Sequence, residues 1–393
     1  MTLAATSATS ATSAADAALA ARLDSVLDRA IAGGRVVGAL ALVARAGRVV
    51  YRRAAGLADR EAGRALRPDA IFLLSSVTKP IVALAAMRLA ECGRLDLDAP
   101  ITRWLPDFRP RLPGGAAPAI TARHLLLHTA GLVSPGNVEH GAAYRAAGVS
   151  NGLDGRSISL EENLRRIAGA PLAAPPGERW IYSLATDVLG AVVAAAAGQP
   201  LPESVRSLVL DPLGLHDTGF SVADPARRVT HYADGDDGPI VMPARHPMVF
   251  DDGGTFEFAP GRIDDPAAYP SGGGGMAGTA DDVLRALEAI RTGHPGVLSA
   301  DGAAAMRIAQ VGAAAATQGP GWGFGYAGAV LVDPAADTTP QPAGTVTWGG
   351  VYGHTWFIDP GRELTVLTMT NTAFEGLFGP FPVEVRDAVY AEG

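Results

Sequence analysis

Hydrophobic positions near the N-terminus change from helical to strand-like spacing. Apolar residues at helical intervals predict a helix over residues 16–32. Two apolar runs, 37–44 and 49–54, lie on either side of Gly47 and predict a β-hairpin. The segment before the helix is mostly Ala, Ser and Thr, so we expect residues 1–18 to form a flexible tail.

A strongly apolar helix is predicted over residues 76–92. Its expected start is Ser76, and Gly93, a residue that favours helix ends, follows its last position. Pro80 lies within the first turns and lacks a backbone N–H, so we expect the start of this helix to be irregular.

The middle of the chain is helical in pattern, and strand patterns return towards the C-terminus. Helical spacing predicts helices over 121–128, 160–167, 182–197, 201–210, 279–292 and 382–391. Strand-like runs occupy 322–332, 344–348, 354–358 and 364–370. Residues 229–265 are polar and rich in Gly and Pro, so we expect irregular loops and hairpins there, and this region is a candidate lid.

Strands at both ends of the chain with helices between them predict an α+β fold. One antiparallel sheet is then built from N- and C-terminal strands and flanked by helices. We expect a sheet domain formed by residues 19–80 and 270–393, and a mainly helical inserted domain formed by residues 81–269.

Composition narrows the possible partners and location. The chain has 393 residues, 48% of them hydrophobic, which is enough for a large core. Its net charge of −8 argues against nucleic acid or an anionic membrane as a partner. The first twenty residues lack the basic and apolar parts of a secretory signal, so a cytoplasmic location is expected. The single cysteine, Cys92, excludes an intramolecular disulfide and is expected to be buried.

One lysine stands among 32 basic residues. Lys79 is the only lysine and the other basic residues are arginines. A lysine amine can lose its proton and act as a base, whereas a guanidinium holds its proton. Ser76 lies three positions before Lys79 in an S-x-x-K motif, so the two side chains share one face of the predicted helix. This pairing predicts Ser76 as a nucleophile that Lys79 activates.

Two further segments are candidates for the same site. Tyr182 begins a predicted helix, where its hydroxyl can relay a proton. Trp348, Gly349 and Gly350 end a predicted strand, and glycines there allow a substrate to approach the backbone. A backbone N–H at this edge can complete an oxyanion hole with the N–H of Ser76. For His354, the sequence leaves open whether it lines the pocket or hydrogen-bonds the strand end.

These motifs, in this order, resemble those of the family VIII carboxylesterases, the esterase branch of the class C β-lactamase and penicillin-binding-protein superfamily. The matching segments are S-x-x-K at 76–79, His-Thr-Ala-Gly-Leu at 128–132, Tyr-Ser-Leu-Ala at 182–185, the Gly-rich segment 272–279 and Trp-Gly-Gly at 348–350. The resemblance implies a β-lactamase/transpeptidase-like fold, with Ser76 as nucleophile and Lys79 and Tyr182 as the acid–base pair. It also implies an oxyanion hole formed by the N–H groups of Ser76 and Val351, and neither a metal nor an organic cofactor.

The chain departs from the lactamase pattern at two positions. Leu184 stands where lactamases carry an asparagine two residues after the tyrosine, and Trp348, Gly349 and Gly350 replace their K-T-G. Losing an amide donor and a cation makes the pocket more apolar, which favours neutral esters over β-lactams. We therefore expect small to medium esters as substrates. Trp348, Gly349, Gly350 and His354 are the expected substrate-binding residues, although Trp348 alternatively only packs against the strand edge.

The same centre is compatible with other reactions. The alternatives are β-lactam or D-amino-acid peptide hydrolysis, acyl transfer to an alcohol, and a non-enzymatic covalent sensor.

Three other motifs are expected to be structural. Ser150 lies in a G-x-S-x-G without the required strand and helix, the G-x-G-x-x-G at 273–278 follows no strand, and His124 and His128 lack the glutamate of a zinc motif.

Overall fold

The computed structural model describes residues 13–249 and 253–391. Helix α1 runs over Ala14–Ala32, and the side chain of Ser13 caps it by accepting a hydrogen bond from the N–H of Asp16. The predicted first helix is thus confirmed with a start two residues earlier. Residues 14–18 are helical rather than part of a tail, and residues 1–12 lie outside the described residues.

The remaining helices lie mostly between the N- and C-terminal strands. They are α2 Thr78–Glu91, α3 Ala122–Leu126, α4 Gly141–Ala146, α5 Leu160–Gly169, α6 Ala185–Ala197, α7 Leu201–Val205, α8 Asp211–Leu213, α9 Ala280–Thr292, α10 Ala300–Arg307 and α11 Pro380–Tyr390. A π-helical turn, Arg206–Leu210, joins α7 to α8. Short 3₁₀ turns occur at Ser75–Val77, Ile101–Arg103, Pro225–Arg227, Pro260–Asp264, Ala313–Ala315 and Pro334–Ala336.

The strands come from both ends of the chain and from short hairpins between them. They are β1 Gly38–Arg45, β2 Arg48–Asp59, β3 Arg64–Ala65, β4 Phe72–Leu73, β5 Tyr232–Ala233, β6 Ile240–Val241, β7 His246–Val249, β8 Thr255–Phe258, β9 Ala277–Gly278, β10 Trp322–Phe324, β11 Ala329–Leu331, β12 Val346–Gly350, β13 His354–Asp359 and β14 Leu364–Thr370.

One large antiparallel sheet joins the two ends of the chain. In the described residues its order is β10-β11-β12-β13-β14-β1-β2-β3. Strand β1 pairs with β14, with Ala39 opposite Thr370. Strands β1, β13 and β14 are buried along almost their whole length because helices cover the sheet, which confirms the predicted α+β arrangement.

The predicted strand over 322–332 is wrong in one respect, because it is two strands. Strands β10 and β11 pair antiparallel, with Trp322 opposite Leu331, and the N–H of Gly325 bonds the carbonyl of Gly328 across the turn. The turn residues Tyr326 and Ala327 are themselves buried. A buried turn carries apolar residues, so the hydrophobic pattern runs through it without a break.

Helix α2 passes through the centre of the molecule. Nearly every position from Thr78 to Leu89 is buried, so this helix has no solvent-facing stripe. It starts irregularly, as predicted, because the 3₁₀ turn Ser75–Val77 precedes it. Pro80 fits there, since the first turn of a helix has no intrahelical acceptors for its N–H groups. Cys92, expected to be buried, is exposed because it is the C-cap of α2.

The 229–265 region forms short hairpins, β5–β6 and β7–β8, as predicted. Residues 250–252, which follow β7 in the sequence, lie outside the described residues. Within residues 13–249 and 253–391, no single helix is long and apolar enough to cross a membrane. Helix α6 and the segment Leu201–Leu213 meet that test only as a pair, with a bend of 75° between them.

Candidate active site

Ser76 lies in a strained turn between β4 and α2. The preceding residue, Ser75, is fully buried and has a φ of 43°, a left-handed conformation that non-glycine residues rarely adopt. Such conformations cost about 1–3 kcal/mol and persist where the surrounding structure enforces them. The turn presents Ser76 to a cavity, where its side chain is 8% exposed.

The three residues predicted to form the acid–base centre lie together. Ser76 Oγ is 3.1 Å from Lys79 Nζ and 2.8 Å from Tyr182 Oη. Lys79 Nζ also lies 4.9 Å from the centroid of the Tyr182 ring. The distance from Ser76 to Lys79 follows from one turn of helix, whereas Tyr182 reaches the site from the loop before α6. Both potential bases therefore contact the same hydroxyl.

The position of Lys79 is fixed by the Gly-rich segment. Its Nζ donates a hydrogen bond of 2.7 Å to the carbonyl oxygen of Gly273. A Cβ at Gly273 would lie 2.8 Å from an oxygen of Asp187 and 3.6 Å from Lys79 Nζ, so only glycine allows this close approach. The Gly-rich run was visible in the sequence, but its contact with Lys79 was not.

Asp187 is a residue of the candidate site that sequence reasoning missed. It is 1% exposed, lies on α6 and lines the cavity beside Lys79. Burial raises the pKa of its carboxyl, while the nearby Ser271 hydroxyl and the charge of Lys79 oppose that rise. Its Oδ1 atom is buried with no hydrogen-bond partner in the described residues. An acidic residue within the otherwise apolar α6 was the available signal.

Aromatic contacts fix the ring of Tyr182. Its centroid lies 4.8 Å from that of His128 and 5.2 Å from that of Trp348. Burial first, and then the charge of Lys79, lower the pKa of His128 to about 3, so this imidazole is neutral near pH 7. Because its Nδ1 accepts a hydrogen bond of 3.3 Å from the N–H of Ser183, its proton lies on Nε2.

The other histidine of the His124–His128 pair has a capping role. His124 Nδ1 accepts a hydrogen bond of 3.2 Å from the N–H of Thr121, and Thr121 Oγ1 accepts one from the N–H of His124. These reciprocal bonds form a capping box at the start of α3. Within 13–249 and 253–391, no group of three or more His, Cys, Asp or Glu side chains is arranged to hold a metal.

The four residues expected to bind substrate at the strand edge are not among those that line this cavity. His354 is fully buried, and its Nε2 is 2.9 Å from the carbonyl oxygen of Leu73. Burial lowers its pKa to about 4. Gly349 and Gly350 are also buried, and Trp348 packs between Tyr182 and Phe324. The expectation that His354 lines the pocket is therefore wrong, because its ring bonds the backbone inside the core.

Val351, the next residue after β12, does line the cavity. The residue before it, Gly350, packs closely against the turn that carries Ser76, because a Cβ there would lie 2.5 Å from both the Leu74 carbonyl oxygen and Ser75 Oγ. A side chain at Gly350 would push the strand end away from the turn that carries Ser76. The glycine thus lets the end of β12 approach the turn that carries Ser76.

The cavity at Ser76 has a volume of about 450 Å³ and mainly apolar walls. Leu184, at the position where lactamases carry asparagine, is one wall residue. Glu139 and Arg179 lie at the cavity and form a loose ion pair of 3.9 Å. The other apolar wall residues are Leu153, Trp180, Ile181, Phe256, Phe258, Val351 and Phe378. An uncharged ester matches this lining.

Ser150, the serine of the G-x-S-x-G motif, has no exposed surface. Its Oγ donates a hydrogen bond of 2.6 Å to Asp154 Oδ1 and accepts one of 3.1 Å from the N–H of Gly152. The hydroxyl is thus held within a closed loop away from the cavity. This geometry agrees with the structural role expected for the motif.

Comparison with known proteins places the chain in a family. The β-lactamase family model matches residues 23–382. Esterase EstB of Burkholderia gladioli is 56% identical over 375 residues, which are 95% of each chain. The structure of EstCE1, a hydrolase with promiscuous acyltransferase activity, has a TM-score of 0.94 at 48% identity and covers 96% of this chain and 100% of its own.

A more distant structure shares only the fold. Unliganded simvastatin synthase of Aspergillus terreus is 21% identical, with a TM-score of 0.73 over 95% of this chain and 98% of its own. The family match covers most of the sheet and the helices between its strands, together with Ser76, Lys79 and Tyr182. This chain belongs to the β-lactamase family.

Proposed function

We propose that this protein is a serine carboxylesterase that hydrolyses small to medium carboxylic esters through an acyl-enzyme on Ser76. The observation that carries the proposal is the contact of Ser76 Oγ with both Lys79 Nζ and Tyr182 Oη, at 3.1 and 2.8 Å, in a mainly apolar cavity. The similarity to an esterase over 95% of the chain supports it.

Acylation begins at Ser76. Its Oγ attacks the ester carbonyl carbon while its proton passes to the amine of Lys79. The N–H groups of Ser76 and Val351 bind the developing oxyanion, which the close approach at Gly350 supports. The bond to the alcohol oxygen then breaks, and Tyr182 relays the proton from Lys79 to that oxygen. The products of this step are the free alcohol and the acyl-enzyme.

Deacylation uses the same groups in reverse. Water gives up a proton to the pair formed by Lys79 and Tyr182 and attacks the acyl carbon. The bond between that carbon and Ser76 Oγ breaks, and the proton returns to Ser76. The carboxylic acid leaves, so the enzyme ends each turnover in its starting state.

Acyl transfer to an alcohol is a second candidate reaction. An alcohol can replace water in the deacylation step, and apolar walls such as Leu184, Phe256 and Phe258 favour an alcohol over water. The similarity to a hydrolase with promiscuous acyltransferase activity also favours it. β-Lactam hydrolysis is less well supported, because Leu184 and the Trp-Gly-Gly edge provide neither an amide donor nor a cation.

One comparison of substrates tests the proposal. Purified protein is assayed with p-nitrophenyl butyrate and with nitrocefin, each with and without added butanol, and Ser76→Ala provides the background. We expect rapid hydrolysis of the butyrate, and formation of butyl butyrate when butanol is present. Faster turnover of nitrocefin would contradict the esterase assignment. A fluorophosphonate probe should label the peptide that contains Ser76.

A cytoplasmic location and the lack of a nucleic-acid or membrane partner stay predictions. Fractionation of cells that express the chain would test the location. Binding of DNA fragments and of anionic vesicles would test the two partner classes. We expect the protein in the cytoplasmic fraction and no binding in either assay.

A further inference from the structure

A second cavity of about 350 Å³ lies directly behind one wall of the cavity at Ser76. Four chain segments form this wall, and each contributes neighbouring residues to opposite sides of it. The residues facing the first and the second cavity are, in pairs, Asn151 and Gly152, Phe258 and Ala259, Gly273 and Gly274, and Val351 and Tyr352. A single layer of chain segments therefore separates the two cavities.

Leu153 is the residue that touches both cavities. Its backbone is fixed, since its N–H donates to Asn151 Oδ1 and its carbonyl accepts from the N–H of Ala259, both at 2.8 Å. Its side chain packs against Gly274, where a Cβ would lie 2.8 Å from Leu153 Cδ2. The side chain thus fills the gap in the wall while the backbone around it is held in place.

The lining of the second cavity indicates what it can hold. Its surface is mainly apolar and includes Leu73, Phe220, Pro202, Ile263, Met276 and Tyr352. Arg262 also lines this cavity, and its guanidinium donates hydrogen bonds of 2.8–3.1 Å to the carbonyl oxygens of Asp154, Arg156 and Tyr269. Because that charge is satisfied by the backbone, the cavity suits an alkyl chain rather than an anion.

The acidic residues at the second cavity are also paired. Asp264 forms an ion pair of 2.6 Å with Arg228, and Asp265 accepts a hydrogen bond from Ser157. Their carboxylates are held by partners outside the lining of this cavity. The apolar surface is thus left as the binding feature.

We propose that the second cavity is an extension of the substrate site and that Leu153 determines the longest alkyl chain that the enzyme accepts. The inference rests on the proposed esterase function. With leucine at position 153, the alkyl chain of an ester bound at Ser76 ends against the wall. A shorter side chain opens the wall and lets the distal methylene groups enter the second cavity, where each buried methylene is worth roughly fourfold in binding.

The experiment measures kcat/KM for p-nitrophenyl esters from acetate to dodecanoate. Leu153→Ala should raise the ratio of dodecanoate to butyrate at least tenfold, and Leu153→Phe should lower it. Ile263→Ala is the matched control, because it enlarges the second cavity without opening the wall, and it should leave the ratio unchanged. Adding Ile263→Trp to Leu153→Ala should fill the second cavity and abolish the gain.

A second substrate series identifies which part of the ester enters the second cavity. Butyrate esters of alcohols from ethanol to decanol place the chain on the alcohol side, and a gain with Leu153→Ala in either series supports the proposal. Cooperative thermal unfolding of Leu153→Ala and Leu153→Phe would show that both variants are folded. If the ratio of long-chain to short-chain kcat/KM is then unchanged in both series, the proposal is overturned. A wild-type protein that cleaves no ester would instead refute the proposed function, so the two failures are distinguishable.

Discussion

The imidazole of His128 packs against the ring of Tyr182, with the two centroids 4.8 Å apart, and its Nδ1 accepts a hydrogen bond from the next residue, Ser183. This neutral ring holds the side chain of the tyrosine and the backbone of the residue that follows it. Trp348 contacts the same tyrosine, with ring centroids 5.2 Å apart. The hydroxyl that touches Ser76 is therefore positioned by neighbours that do not touch Ser76 Oγ themselves.

Replacing Trp348 with alanine tests this positioning role. The variant removes an aromatic contact of Tyr182 and leaves its ring free to move, so we expect kcat for p-nitrophenyl butyrate to fall about tenfold or more. KM should change little, because Trp348 does not line the cavity at Ser76. Trp348→Phe restores an aromatic contact and should recover most of the activity. A raised KM with unchanged kcat would show instead that the indole contacts substrate.

Lys79→Arg separates the charge of the lysine from its ability to lose a proton. The guanidinium keeps a cation near Ser76 but cannot act as a base, so we expect kcat/KM to fall on the order of 10³-fold or more. Assays with p-nitrophenyl butyrate on protein with an unchanged circular dichroism spectrum would measure this.

Chemical rescue provides the control for that variant. Lys79→Ala leaves space beside Ser76, and added ethylamine should restore part of the activity, with a rate that increases with pH as the neutral amine becomes more abundant. Guanidine at the same concentration should restore none. Near wild-type activity of Lys79→Arg would show that no neutral amine is needed.

Ser150→Ala should separate stability from catalysis. The change removes one hydrogen bond to Asp154 Oδ1 and leaves the N–H of Gly152 without its acceptor, so we expect the free energy of unfolding to fall by about 1–3 kcal/mol. Ester hydrolysis should stay within about threefold of wild type, because Ser150 is buried away from the cavity. Urea unfolding and steady-state kinetics measure the two effects. Loss of hydrolysis without loss of stability would contradict the structural role.

The part of the site that the sequence predicts depends on local geometry. Ser76 and Lys79 are separated by one helical turn, so their spacing along the chain already determines that they are close. Gly273 accepts a hydrogen bond from Lys79 and Asp187 interacts with its charge, although both lie more than 100 residues away in the sequence, and no local period encodes these interactions. The acidic residue within the apolar α6 was a signal, but it did not identify a partner.

The strand edge shows why the role of a side chain is harder to predict than its element. The strand over 344–348 was expected, and β12 is present at Val346–Gly350. Which of its residues faces the cavity depends on register, because successive side chains point to opposite faces of a sheet. Trp348 is opposite Trp356 in β13 and packs against Tyr182 and Phe324, whereas Val351 lines the cavity.

His231→Phe tests whether buried neutral histidines make the fold sensitive to acid. His231 is buried with its ring 5.0 Å from that of Tyr352, and burial lowers its pKa from 6.5 to about 3, with smaller contributions from His354 and Arg228. The unfolded chain therefore binds a proton more readily, and stability is lost as pH falls below about 6.5. Phenylalanine keeps the aromatic contact and removes this titration. Between pH 6 and pH 4, we expect the free energy of unfolding of the variant to fall less steeply than that of wild type, with slopes that differ by about 1.4 kcal/mol per pH unit.

Urea unfolding across this range measures the slopes, and His216→Phe, at an exposed histidine, is the matched control. Equal slopes for His231→Phe and wild type would show that His231 is protonated as easily in the folded as in the unfolded chain.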